Sequence, residues 1–140
     1  MTPAEVVVDA SVIGAAFFNE AASASARVWL INAPRLIAPD LLYAEIASIA
    51  AKKVWRGEAP TEVGARSIEA IADFLAEAVP TGELAGRAFA LVAQHRFSAY
   101  DATYLALAER REIQLVTLDR KLCVRARQAG ISHLLRELEP

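Results

Sequence analysis

The chain has 140 residues, 55% of them hydrophobic, and a formal net charge of −2, which fits one domain over residues 1–140 and argues neither for nor against a nucleic-acid partner. Its single cysteine, Cys123, excludes an internal disulfide framework and a thiolate zinc site, and no window of about 18 apolar residues lacks a charge, so no membrane span is expected. The start, "MTPAEVVVD", has no charged segment leading into an apolar run, so no signal peptide is expected and a cytoplasmic location follows as the default.

In chain order, residues 5–9 read as a buried strand of β-branched residues that ends on a carboxylate, Asp9. "SVIGAAFF" reads as a short helix, "AASASARVWLIN" as another, and "RLIA" before Pro39 as a short strand. "DLLYAEIASIAAKKVWRG" reads as a long helix, with Asp40 as N-cap and Gly57 just past its C-terminus. "TEVGARSIEAIADFL" is the next helix, "AEAVP" a weak strand, "TGELAGRAFALVAQH" a helix and "SAYDATYLALAERRE" a further one. "IQLVTLD" is a strand that again ends on an acid, Asp119; "RKLCVRARQAG" is a helix and "ISHLL" a last strand. Strands alternating with helices predict an α/β fold, a three-layer sandwich whose mostly parallel central sheet has helices on both faces.

Four acids stand out. Asp9 and Asp119 each have a plain role available as helix N-caps. For Asp119 that role fits less well, because Arg120 and Lys121 would then open a helix whose dipole disfavours positive side chains there. Glu45 shares a helix face with Leu41, Leu42 and Ile49 and has no basic residue three or four positions away, so it needs a partner from elsewhere. Asp101 sits at the third position after Ser98, as in a capping box, and also lacks a basic neighbour at helical spacing. In open parallel sheets, ligands bind beyond the carboxyl ends of the strands, where Asp9 and Asp119 would point. Four converging carboxylates repel unless a cation lies between them, and oxygen ligands alone favour a hard ion, Mg²⁺ or Mn²⁺. Ser11 and Thr117 could support such ligands with hydroxyls.

The segment from Arg96 to Arg127 carries seven basic residues against four acidic ones, most simply as solvated helix faces. His95 and His133 lack a partner motif. Trp29, Trp55, Tyr43, Tyr100 and Tyr104 are most simply packing residues, and Cys123 a core residue. Gly82 and Gly86 do not form a phosphate-binding pattern.

"VVVDASVI", "APDLLYAEIASIA", "FSAYDATYLALA" and "LVTLDRKL" occur in the order and spacing of PIN domains, and the chain resembles most closely the VapC-type toxins of toxin–antitoxin pairs. The resemblance matches Asp9, Glu45, Asp101 and Asp119 to the family's four acidic positions, and Ser11 and Thr117 to its hydroxyl positions. Ser48 stands where many members carry Asn. It implies a divalent-metal-dependent endoribonuclease, a homodimer, held inactive by a cognate VapB-type antitoxin. On that reading Asp9 and Asp101 hold the metal directly and Glu45 and Asp119 complete the shell, one of them acting as general base. Lys52, Arg56, Arg120 and Lys121 become candidate phosphate contacts. Two rivals remain: a PIN-like binding scaffold without catalysis, and a Mg²⁺-binding phosphoacceptor receiver domain. The second is weakened because no strand here ends in Lys and two of the acids lie on helices.

Overall fold

The computed structural model describes residues 4–140, so the expectation of no signal peptide falls in part on residues 1–3, which lie outside the described residues. Five strands, β1 (Glu5–Val8), β2 (Arg35–Pro39), β3 (Leu75–Val79), β4 (Leu115–Thr117) and β5 (Leu135–Glu137), form one sheet in the order β3-β2-β1-β4-β5. Every neighbouring pair is parallel. Seven α-helices flank it: α1 (Ala10–Phe17), α2 (Ser23–Ile31), α3 (Leu41–Trp55), α4 (Thr61–Phe74), α5 (Thr81–Gln94), α6 (Ala99–Arg111) and α7 (Arg120–Gln128). The expected α/β sandwich with a central parallel sheet is what forms.

β1 is central because Val6, Val7 and Val8 can be covered on both faces; all three are buried. α6 packs across β1, β2 and β4, and its residues from Ala102 to Ala108 are all buried. Gly14 lets α1 lie close to α3: a Cβ there would stand 3.3 Å from Ile49 Cδ1. The chain leaves β1 toward β2 on one side and returns to place β4 on the other. The switch point of the sheet therefore lies between the C-terminal ends of β1 and β4.

Three local expectations are corrected. The last strand is not Ile131–Leu135: Ser132–Leu134 close a 3-10 turn, and β5 begins only at Leu135. Asp40 does not cap α3. Its own backbone is already helical (φ −67°, ψ −13°), and its carboxylate accepts instead from the Thr81 N–H (2.9 Å) and hydroxyl (2.6 Å) at the start of α5. β4 stops at Thr117, so Asp119 follows the strand rather than ending it. Gly57 does stand just past α3, at φ 70°. The Gly57 and Glu58 N–H groups donate back to Val54 and Lys53 at 3.0 and 2.9 Å, the paired bonds of a glycine-terminated helix.

Candidate active site

Asp9 follows β1 as the N-cap of α1, and its Oδ1 accepts from the N–H groups of Ser11 (3.0 Å) and Val12 (3.4 Å). The modest capping role is therefore real, but it uses only one carboxylate oxygen. The same oxygen accepts from the Ser11 hydroxyl at 2.5 Å, and Oδ2 accepts from the Thr117 hydroxyl at 2.5 Å, across the gap between β1 and β4. Ser11 Oγ in turn accepts from the Leu118 N–H at 2.9 Å, and Thr117 Oγ1 from the Asp119 N–H at 3.0 Å. Two hydroxyls thus tie the loop after β1 to the loop after β4 and hold Asp9 between them.

Asp119 caps α7 by accepting from the Leu122 N–H at 3.1 Å. Ser98 caps α6 by accepting from the Asp101 N–H at 3.0 Å, so Asp101 opens α6 beside the same switch point. Glu45 finds its partner from elsewhere: Tyr104, buried on α6, donates its hydroxyl to Glu45 Oε1 at 2.7 Å.

The electrostatics set these acids apart. Burial pushes the Asp9 carboxyl from 3.8 up to about 6, against the hydrogen bonds that pull it down. Burial raises Glu45 first, and the neighbouring Asp101 charge raises it further. Asp101 is likewise raised by burial and then by Asp119, partly relieved by the Ser98 hydroxyl and Arg125. Mutual repulsion thus reaches Glu45 and Asp101, while for Asp9 the cause is burial. Elsewhere in the molecule the pattern reverses. Glu77 is held below its usual range by Arg111 (2.7 Å), and Glu109 by Arg87 (2.6 Å). Among the described residues, none of Asp9, Glu45, Asp101 and Asp119 has an ion-pair partner. Carboxylates without an ion-pair partner, of which Glu45 and Asp101 are both desolvated and repelled by a neighbouring acid, are oxygen donors of the kind a hard divalent ion takes. As the side chains stand, no three Asp, Glu, His or Cys groups among the described residues are close enough to hold one ion. The donor chemistry fits; the spacing would have to tighten around the ion.

The remaining candidates are spread. Ser48 and Lys52 line a cavity on α3 with Glu45. Arg56 is exposed at the far end of α3. Arg120 is engaged by Glu137 at 3.3 Å, whereas Lys121 lines a shallow cleft on α7 with Arg125. Sequence reasoning missed two residues here. Tyr104 is more than a packing residue. The signal was its position three after Asp101 on a helix buried all round, where a phenol needs a hydrogen-bond partner. Arg125 is the basic side chain whose field reaches Asp101. Two other aromatics read as packing residues are exposed: Trp55 by 79% and Tyr100 by 64%.

Residues 6–128 match the PIN domain family. The chain belongs to the PIN-domain family. Ribonuclease VapC3 of Pyrobaculum aerophilum is 34% identical over 120 residues, covering 84% of this chain and 92% of that protein. Ribonuclease VapC9 of Mycobacterium tuberculosis is 35% identical over 117 residues, covering 84% and 87%. Within the family this PIN domain is therefore of the VapC type. Crystal structures agree on the fold. Mycobacterium tuberculosis VapC20, described as a sarcin-ricin loop cleaving toxin, matches with TM-score 0.67 at 19% identity over 85% of this chain and 93% of its own. The Pyrobaculum aerophilum protein PAE2754 matches with TM-score 0.64 at 22% identity over 93% and 88%.

Proposed function

We propose that this PIN domain is a divalent-metal-dependent endoribonuclease, the toxin of a type II toxin–antitoxin pair, with residues 1–140 acting as one domain. The observation that carries the reading is that Asp101 stands close enough to Glu45 and to Asp119 for their charges to raise it and Glu45, while none of these acids or Asp9 has an ion-pair partner among the described residues. Burial raises Asp9, Glu45 and Asp101, and relatives over most of the chain are named as ribonucleases.

Asp9, Asp101, Glu45 and Asp119 would hold Mg²⁺ or Mn²⁺. Such an ion lowers the pKa of a bound water and offsets charge on the phosphoryl oxygens. The chain's own residues do the rest. Ser11 and Thr117 fix both Asp9 oxygens, so the most buried acid cannot swing away. Glu45, raised above its usual range and oriented by Tyr104, takes the proton of the attacking water. The water oxygen bonds to phosphorus, the bond to the leaving oxygen breaks, and that oxygen is protonated from solvent. Lys121 and Arg125 on one side and Lys52 on the other supply positive charge for flanking phosphates. Arg56 and Arg120 are weaker candidates, being distant and already paired.

For the wider assembly, a homodimer and capture by a cognate VapB-type antitoxin are supported by the exposed Val28, Ile31, Trp55 and Phe89 side chains. A cytoplasmic location is part of the same reading; no helix is long and apolar enough to cross a membrane among the described residues. A catalytically silent PIN-like scaffold has one observation on its side, the spacing of the acids as they stand.

The deciding experiment is RNA cleavage under Mg²⁺ and Mn²⁺ titration. Wild type should cleave with either metal and not in EDTA. Asp9→Asn and Asp101→Asn should each lose at least about a hundredfold, as expected when a ligand that acts in the transition state is removed, with unchanged circular dichroism. Wild type that binds metal yet cuts no RNA would establish the scaffold.

A further inference from the structure

The cavity beside Glu45 has a volume of about 390 Å³, within the range of small-ligand pockets. Leu41 and Ile49 give it apolar walls, Tyr100 an aromatic one, and Glu45, Ser48 and Lys52 its polar groups. One wall is thus an acid of the candidate active site, and another is the residue immediately before Asp101. Tyr100 is 64% exposed, while Tyr104 is buried and Tyr43 half-buried, and it is not among the residues packed on the core. Core packing does not account for so large an apolar ring at this position. Lys52 has no carboxylate partner among the described residues, although its neighbour Lys53 is held by Glu20 (3.2 Å) and Glu58 (3.3 Å).

We propose that this cavity is a nucleobase subsite, in which one unpaired base of a single-stranded RNA stacks on Tyr100 while Lys52 meets a flanking phosphate. The inference rests on the ribonuclease reading and deepens it. A phosphodiester held at Asp101 and Glu45 must place the adjoining nucleotide within reach of the residue next to Asp101. Single-stranded RNA is recognised by splaying bases onto aromatic faces, and such stacking tolerates any base because each has a π-face. Ser48, exposed at the cavity edge, adds a hydroxyl that can read a base edge. Lys52 offsets the repulsion that Glu45 would exert on a neighbouring phosphate.

The test uses the full chain and a fluorescein-labelled single-stranded RNA. Binding is read by anisotropy with Ca²⁺ in place of Mg²⁺, and cleavage with Mg²⁺. Tyr100→Ala should weaken binding and raise KM about tenfold, equivalent to about 1.4 kcal/mol, with kcat within about twofold and an unchanged Tm. Tyr100→Phe and Tyr100→Trp should retain wild-type values. Wild-type binding and KM in Tyr100→Ala, with wild type active, would overturn the subsite alone. So would a Tyr100→Ala chain that sediments as a smaller species while binding RNA normally, because Tyr100 would then belong to a protein–protein contact. Wild type that cuts no RNA with any metal would overturn the ribonuclease reading and the subsite with it.

Discussion

Asp9→Asn should stabilise the metal-free protein at neutral pH and lose that advantage in acid. Asp9 is buried, lies beyond reach of any cation, and titrates near 6 in the folded chain against 3.8 as its ordinary value. A folded-state pKa raised above the unfolded one means that the folded state binds the proton more tightly. The stabilisation from protonated Asp9 is thus complete below pH 3.8 and is lost as pH rises to 6. At 1.36 kcal/mol per pH unit, keeping the carboxylate charged costs the fold about 3 kcal/mol at pH 8, and about 1 kcal/mol at pH 4.5.

Asparagine removes that charge but must reuse the same neighbours. Its oxygen can accept from the Ser11 and Val12 N–H groups, as Asp9 does now, and Asn remains a good N-cap. Its NH2 would face Thr117 Oγ1, which would have to accept and turn its proton toward Ser11 Oγ, 3.3 Å away. One compromised hydrogen bond costs about 1 kcal/mol. The net gain is then about 2 kcal/mol at pH 8, or about 4–8 °C in Tm for a chain of this size, falling to about zero at pH 4.5. Thermal melts by circular dichroism in EDTA at pH 4.5, 6 and 8 read this directly, and the other titrating groups cancel in the difference between the two proteins. A variant that melts below wild type at pH 8, or a difference that does not change with pH, would refute the account of Asp9 as a charge held against its burial.

Three further outcomes are expected. Tyr104→Phe removes the hydroxyl that lowers the Glu45 pKa, so the acid limb of the kcat/KM pH profile should move to higher pH, and the protein should lose about 1.5 kcal/mol of stability, the contribution of a hydrogen bond to a charged group, read as a lower Tm; an unmoved limb would remove Glu45 as the base. Lys121→Gln with Arg125→Gln should cut the slope of log K for single-stranded RNA against log salt by about 1.4. Arg120→Gln should change it little, because Glu137 already holds that side chain; equal effects would contradict the pairing. Mg²⁺ at a hundredfold excess over its Kd should stabilise wild type by about 2.7 kcal/mol and Asp101→Asn by distinctly less, as seen in melts with and without EDTA; equal gains would take Asp101 out of the metal site.

The parts of the fold that could be read from the sequence are those in which one element decides alone. Three consecutive β-branched valines favour a buried strand, and the capping residues Asp9, Ser98 and Asp119 lie within three residues of the N–H groups they satisfy. Expectations failed where a distant element competed. Asp40 has the right type and place to cap α3, but β2 pairs with β3 so that the Asp40 N–H reaches the Val79 carbonyl (2.8 Å), and Thr81 then stands closer to its carboxylate than its own helix does. "ISHLL" is the more apolar segment, yet Gly130 at φ 74° sends the chain into a turn, and only from Leu135 can the backbone align with β4.

The candidate site shows the same division more sharply. Glu45 and Asp101 could be singled out because their own helices offered them no cation at helical spacing, and Asp9 and Asp119 because each comes at the end of an apolar strand, signals that need no tertiary information. What partners these acids is tertiary: Thr117 reaches Asp9 across 108 positions of sequence, and Tyr104 reaches Glu45 across 59. The hydroxyl clamp on Asp9 works only because β1 and β4 are neighbours, with Val8 in register with Val116. That adjacency is set by where the chain reverses its strand order, not by either strand's residues. The same reversal sets Asp9, the acid that burial raises to about 6, at the C-terminal ends of β1 and β4, the place in open parallel sheets where ligands bind.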